Sequence, residues 1–203
     1  MNSGIPPQPF VPSAFNLDRV TGLSGHALDL HLGLYRTYVK EANSLLEQLH
    51  DFPREDKLAT NERLQRDGLV RRFCFEHSGV VLHESFFSML AGPGSDPAEA
   101  LRFGAAATKS FGSFERWKQD VIELGQTRGV GWVVTFRSYP DNHLMNVWVD
   151  DHTRGHLPGL RALAVFDLWE HAFMLDFKPS ERTEYLKVLF DNIDWSVIEK
   201  RCA

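Results

Sequence analysis

The chain lacks the features that mark disulfide-rich, membrane-spanning and nucleic-acid-binding proteins. It has two cysteines in 203 residues, Cys74 and Cys202, which do not support a disulfide framework and favour a reducing compartment. No apolar run approaches the roughly 18 residues that span a bilayer. The net charge is -5 and no basic cluster occurs, which argues against nucleic acid as a partner. We therefore expect a cytoplasmic protein with neither a membrane nor a nucleic-acid partner.

The composition allows a substantial core. Hydrophobic residues make up 43% of the chain and charged residues 24%, which is typical of a globular protein with one large domain or two small ones. The first residues, MNSGIPPQPFVPSAF, hold four prolines, no basic residue and no apolar segment, so they do not resemble a signal peptide. We expect residues 1–20 to form an extended or disordered arm.

Helical periodicity dominates the first half. From Ser24 to Leu49 apolar residues recur at three- and four-residue steps, and Ser24 is suited to cap the helix. A second helical region ends in LVRRFCFEHSGVVLHESFFSML and stops at the linker AGPGSDP. The two helices are predicted to pair as an antiparallel hairpin, forming a domain over residues 21–93.

The second half mixes helices and strands. Residues 101–124 show a helical pattern, and GVGWVVTF and HLMNVWV predict strands joined by a hairpin turn at SYPDN. A third apolar run, ALAVFDL, precedes a predicted helix in SERTEYLKVLF with Ser180 as its N-cap, and a short helix is expected after Trp195. The expected fold class is α+β, in which residues 94–203 form a domain with a three-stranded antiparallel sheet flanked by helices.

Four residues carry the strongest chemical signal, although none is decisive alone. Asp167 and His171 stand four residues apart in VFDLWEHAFML, a spacing that can turn both toward one point. His31 and His83 lie in apolar helical stretches, where a lone histidine is more often a packed core residue. Three imidazoles and one carboxylate suit iron or manganese better than zinc. Because the chain has nine histidines, spacing by itself leaves the set open.

A family resemblance selects among these histidines. The segments LDLHLGLYRTYV, GVVLHESFF, GVGWVVTF and FDLWEHAFMLDF occur in this order. They resemble the diagnostic segments of the iron/manganese superoxide dismutases, and the last is close to that family's D-x-W-E-H-A signature. The resemblance extends from about Ser24 to Arg201. It implies one iron or manganese ion per chain, bound by four side chains, those of His31, His83, Asp167 and His171.

The resemblance also implies roles for residues around the metal. Tyr38, two helical turns beyond the first ligand, matches a tyrosine that lines the substrate entrance. Trp132 and Trp169 match tryptophans that wall the metal pocket, although without the resemblance both would be interpreted as core residues. Glu170 matches a glutamate that bonds a ligand histidine of a second subunit, and Arg182 matches an arginine near the entrance.

The chain departs from the family pattern beside the metal. The glutamine that most iron enzymes carry four residues before the second ligand is Gly79 here. His152 stands where manganese enzymes place a glutamine on the sheet, and we expect it to fill the space above Gly79 and to bond solvent at the metal. His152, together with Val165 before Asp167, favours iron as the cofactor.

A second departure concerns assembly. Tyr35, Phe173 and Met174 replace polar residues that join the subunits of the family. We therefore expect a homodimer through Glu170 and His171 in which these three side chains contribute packing instead.

The implied function is conversion of superoxide to dioxygen and hydrogen peroxide by redox cycling of one metal ion. Two alternatives stay open from the sequence. Two histidines and a carboxylate also suffice for a non-haem iron oxygenase, and a non-catalytic relative would keep the fold as a structural subunit. Because the substrate is an anion and the chain is net negative, local arginines such as Arg182 are expected to steer it, with a rate that falls as salt rises.

Overall fold

The computed structural model describes residues 10–53, 58–139 and 141–203. Its N-terminal half is a helical hairpin of α1 (Gly25–Asp51) and α2 (Thr60–Phe87). The predicted cap is confirmed, since the Ser24 hydroxyl accepts a hydrogen bond from the Ala27 amide. Residues at three- and four-residue spacing form the buried face of α1, and His31 and Tyr38 belong to that face. The hairpin therefore directs both side chains into the interior.

The helical pattern predicted over residues 101–124 corresponds to two helices. α3 (Leu101–Phe111) ends at Gly112, whose φ of 89° lies in the left-handed region that glycine adopts without strain. α4 (Phe114–Leu124) begins again at Ser113, whose hydroxyl accepts from the Arg116 amide. The helical pattern is therefore confirmed, and a glycine followed by a serine supplies the stop of one helix and the start of the next.

A three-stranded antiparallel sheet follows, as predicted. β1 (Gly131–Arg137) lies between β2 (Leu144–Asp150) and β3 (Arg161–Asp167). Every residue of β1 is buried, because it is the central strand and both of its faces are covered. In the register between β1 and β3, Trp132 lies opposite Asp167. This register places an indole beside a predicted metal ligand.

The chain closes with α5 (Glu170–Phe173), α6 (Arg182–Asp191) and α7 (Trp195–Arg201). The prediction of Ser180 as the N-cap of α6 was wrong, because a 3₁₀ turn at Pro179–Glu181 precedes the helix. Contacts between α1 and α5, and between α2 and β3, join the hairpin to the second half. The α+β fold is thus confirmed, whereas the domain boundary after residue 93 stays a prediction.

The N-terminal arm packs along the helical hairpin. Residues 1–9 lie outside the described residues, and residues 10–20 form neither helix nor strand. Phe10 is held by a pair of hydrogen bonds with Asn43, one from its amide at 2.6 Å and one to its carbonyl at 2.8 Å. The Phe15 ring packs against Tyr35 and Phe87, at centroid distances of 5.6 and 5.3 Å. This part of the arm therefore covers the side of the hairpin next to the buried histidines.

Within the described part of the chain, no helix is both long and apolar enough to cross a membrane. The cytoplasmic location stays a prediction from the cysteine content.

Candidate metal centre

The four predicted ligands converge on one point. Their donor atoms, from α1, α2, the end of β3 and α5, all lie within 4.8 Å of one another. Asp167 Oδ2 is the common centre, with His31 Nε2 at 3.0 Å, His171 Nε2 at 3.4 Å and His83 Nε2 at 3.6 Å. His31, His83 and Asp167 are buried, and the His171 side chain is 24% exposed. Three imidazole nitrogens thus surround one carboxylate oxygen.

The hydrogen bonding of His83 calls for a cation at this point. Its Nδ1 lies 2.7 Å from the Gly79 carbonyl oxygen, which only accepts, so Nδ1 carries the proton. Burial lowers the pKa of His83 well below its usual value, and the neighbouring His31 adds to this effect, so the ring is neutral. Its Nε2 therefore presents a lone pair to Asp167 Oδ2, also an acceptor. Among the described residues, Nε2 of His83 and Nε2 of His171 have no hydrogen-bond partner. A metal ion would satisfy all of these atoms.

The carboxylate of Asp167 is fixed and ionised. The backbone amide of Trp169 donates to Oδ1 at 2.8 Å, which leaves Oδ2 directed at the histidines. Burial by itself would raise the pKa of Asp167, but the neighbouring His171 and His31, the latter hydrogen-bonded to Oδ2 at 3.0 Å, outweigh it. The pKa consequently lies far below its usual range. An ionised carboxylate beside imidazole nitrogens is a donor set that suits a di- or trivalent transition metal.

A chain of hydrogen bonds leads away from the ligands. Trp132 Nε1 donates to His152 Nδ1 at 3.0 Å, and His152 Nε2 lies 2.8 Å from the Tyr38 hydroxyl oxygen. Burial lowers the pKa of His152 to about 4, although the charges of Asp167 and Asp151 oppose the shift. The ring is therefore neutral near pH 7. Because an indole only donates, the single proton of His152 lies on Nε2 and is donated to Tyr38. The hydroxyl proton of Tyr38 is then free to be donated elsewhere.

Gly79 makes room for Tyr38. A Cβ at Gly79 would lie 2.8 Å from Cδ1 of the Tyr38 ring, closer than real Cβ atoms approach. The expectation that His152 fills the space above Gly79 was wrong, since the tyrosine ring fills it. The same ring packs on His83, with centroids 5.1 Å apart. His152 is fully buried, as expected. It contacts Tyr38, whose ring in turn packs on the proposed ligand His83.

Both tryptophans contact ligand rings. The Trp169 ring stacks on His171, with centroids 5.7 Å apart, and on His152, at 4.6 Å. The Trp132 ring meets His83 edge-on at 4.9 Å. Both indoles thus lie against the ligand rings, and their role as walls of a metal pocket stays a prediction.

The chain is similar in sequence to known superoxide dismutases. Residues 99–201 match the family model for the C-terminal domain of iron/manganese superoxide dismutases. The chain is 28% identical to an iron superoxide dismutase of Saccharolobus solfataricus, over 97% of this chain and 92% of that protein. It is 30% identical to one of Sulfolobus acidocaldarius, over 88% of this chain and 85% of that protein.

The chain belongs to the iron/manganese superoxide dismutase family. A third relative, named a manganese/iron superoxide dismutase, from Aeropyrum pernix, is 30% identical over 84% of this chain and 78% of that protein. The resemblance inferred from the sequence and the expected enzyme class are thus confirmed. The oxygenase and non-catalytic alternatives find no support in these matches.

In this superoxide dismutase the guanidinium of Arg182 is bound to backbone carbonyls. It donates to Thr127 and Gly129 at 2.7 Å each and to Leu168 at 3.4 Å. The arginine therefore ties the segment before β1 to the end of β3. This arrangement supports the strand that carries Asp167 and leaves fewer N–H donors for an incoming anion.

Tyr35 and Phe173 are turned into their own chain. The Tyr35 hydroxyl donates to Glu84 Oε1 at 2.7 Å and accepts from the Ser13 amide at 2.8 Å. Phe173 is 1% exposed and packs against Tyr185. Met174, by contrast, is 47% exposed. Of the three side chains expected at a subunit interface, Met174 alone is available to a partner.

Phe75 was missed by the sequence reasoning. Its ring lies 4.7 Å from that of His152 and 6.2 Å from that of Tyr38, centroid to centroid. The available signal was spacing, since Phe75, Gly79 and His83 are four residues apart and share one face of α2. Phe75 thus extends the apolar wall of the pocket toward the surface.

Proposed function

We propose that this chain is an iron superoxide dismutase whose metal ion is held by the cluster of His31, His83, Asp167 and His171. The observation that carries the proposal is the convergence of three imidazole nitrogens on Asp167 Oδ2, two of them without another partner among the described residues. When bound, the metal supplies reversible one-electron transfer, by which two superoxide ions and two protons become dioxygen and hydrogen peroxide. The names of two relatives, and His152 in place of a glutamine, favour iron over manganese.

Tyr38 is the proton donor in this proposal. Reduction of superoxide to hydrogen peroxide consumes two protons, and the pocket walls of Trp132, Trp169 and Phe75 limit the access of bulk water. Because His152 donates to the oxygen of Tyr38, the hydroxyl proton of Tyr38 is directed away from His152. His152 Nε2–H would stabilise the tyrosinate left when Tyr38 releases its proton, and the Trp132 N–H holds His152 in the tautomer that makes this hydrogen bond. Solvent then returns the proton to Tyr38.

The enzyme is further proposed to work as a homodimer. Glu170 is exposed at the start of α5, directly before a ligand histidine whose side chain is partly exposed. We infer that Glu170 of one protomer accepts a hydrogen bond from the partner's His171 across a two-fold axis, which would orient each ligand ring. The exposed apolar side chains of Leu30, Met174 and Leu175 support this surface as the seam.

The proposal is tested by metal content and activity measured on the same protein. The enzyme is produced with iron or with manganese, its metal is counted per chain, and superoxide decay is followed by stopped flow. We expect one iron per chain and higher activity per iron than per manganese. His171→Ala should lose metal and activity together, whereas the matched control His26→Ala, at an exposed histidine of α1, should keep both. Iron-loaded protein without activity, or a His171→Ala variant with full metal content, would contradict the proposal.

A further inference from the structure

The net charge of the protein does not account for the attraction of superoxide to the pocket. Superoxide is an anion and the chain carries a net charge of -5. Arg182, expected to steer it, has its guanidinium bound to three backbone carbonyls. Apart from a metal ion at the ligand cluster, the charged side chains near Tyr38 determine whether the approaching anion is attracted or repelled.

Arg72 lies on the outer side of the pocket wall. Its guanidinium carbon is 4.8 Å from the centroid of the Phe75 ring, and its side chain is 61% exposed. The same ring contacts Tyr38 and His152 on the inner side. From solvent inward, the order is therefore Arg72, then Phe75, then the proton-donating pair of Tyr38 and His152.

Arg72 also neutralises a buried acid. Glu76, one helical turn further along α2, is 2% exposed and forms an ion pair with the Arg72 guanidinium. Burial raises the pKa of Glu76, and Arg72 opposes that shift. Arg72 lies over the Phe75 ring and Phe75 contacts Tyr38, so an anion that approaches Tyr38 on this side passes the charges of the Arg72–Glu76 pair.

We propose that Arg72 is a guiding residue for superoxide, which offsets the charge of Glu76 at the mouth of the pocket beside Phe75. Arg72 acts on the approach of the anion and touches neither the metal ligands nor the reacting atoms, so it is a positioning residue. The proposal rests on the superoxide dismutase activity proposed above. It adds a cation on α2, before residues 99–201 that the family model matches, whose charge keeps Glu76 from repelling the anion.

Removal of the positive charge and removal of the negative charge are expected to change kcat/KM in opposite directions. Arg72→Gln leaves Glu76 unopposed and should lower kcat/KM for superoxide at low ionic strength by about two- to threefold, the effect of one charge at about 8 Å in water. Glu76→Gln leaves Arg72 unopposed and should raise kcat/KM by a similar factor. The double variant should return close to the wild-type rate, and all differences should shrink as salt is added.

Controls separate guidance from folding. Arg71→Gln removes a second exposed arginine, one residue away, and should change nothing. Arg72→Lys keeps the charge and should retain most of the rate even if the glutamine variant is less stable. Rates are normalised to bound iron. As a second readout, the affinity of the iron-loaded variants for azide, a small anion, is measured by visible absorption and should follow the same order as the rates.

The measurements distinguish guidance of the anion from a purely structural ion pair. The order Glu76→Gln above wild type, and Arg72→Gln below it, in both rate and azide affinity supports guidance. Equal rates and affinities for Arg72→Gln, Glu76→Gln and Arg71→Gln overturn it. A fall in both single variants also overturns it, because a purely structural ion pair would behave in that way. A wild-type protein that is inactive when loaded with iron would instead defeat the proposed function itself.

Discussion

Replacing Gly79 by alanine is expected to disable the pocket without touching a ligand. The new Cβ would lie 2.8 Å from Cδ1 of Tyr38, whereas ordinary contact begins at 3.4 Å. The tyrosine ring must therefore move by about 0.6 Å. It packs against His83 and Phe75, and its hydroxyl is 2.8 Å from His152 Nε2. A displacement of this size away from Gly79 stretches that hydrogen bond to the limit of its range.

The expected cost follows from three contributions. Overpacking costs about 1–3 kcal/mol, the weakened hydrogen bond about 0.5–1.5 kcal/mol, and the better helix propensity of alanine returns about 1 kcal/mol. We expect Gly79→Ala to lose about 1–3 kcal/mol of unfolding free energy in urea. The iron content should stay at one per chain, and the activity per iron should fall by roughly tenfold or more because the proton path is misaligned.

Gly68→Ala is the matched control on the same helix. A Cβ at Gly68 meets no atom within 4 Å, so alanine there should stabilise the protein by about 0.5–1 kcal/mol and leave activity unchanged. If Gly79→Ala shows the stability and the activity per iron of the wild type, Tyr38 does not depend on the space at Gly79 and the reasoning fails.

Three further predictions concern pH, assembly and the arm. The folded-state pKa of His152 is lowered to about 4 from 6.5, so the unfolded chain takes up a proton at a higher pH than the folded chain does. The free energy of unfolding should therefore fall by up to about 3 kcal/mol as the pH drops through this window. In His152→Gln this fall should be smaller, which urea unfolding at each pH would reveal. Glu170→Ala should weaken the dimer in sedimentation, and a wild type that is monomeric and fully active at micromolar concentration would refute the proposed pairing. Asn43→Ala removes both bonds to Phe10 and should cost about 1–2 kcal/mol, whereas Ser44→Ala should cost little.

The fold and the convergence of the four proposed ligands could be predicted from the sequence because their signals are local or characteristic of a family. Apolar spacing on α1 located its buried face and Ser24 marked its start. The four-residue spacing of Asp167 and His171, once joined to the family segments, selected the histidines that the structure brings together. The three strands were predicted from short β-rich runs.

What escaped the sequence depends on contacts between distant parts of the chain. Tyr35 was expected at a subunit seam, yet Glu84 and Ser13 satisfy its hydroxyl inside the chain. The site of the Tyr38 ring above Gly79 depends on the packing of α1 on α2, which spacing within one helix does not specify. Arg72 resembles any surface arginine until the structure places it over Phe75.

The most direct test of the central claim is a crystal structure of the iron-loaded enzyme, with anomalous diffraction recorded at the iron absorption edge. We expect one strong anomalous peak per chain at the point where His31, His83, Asp167 and His171 converge, with all four side chains bonded to it. A peak elsewhere, or a peak at this point from which one of the four side chains is turned away, would contradict the account.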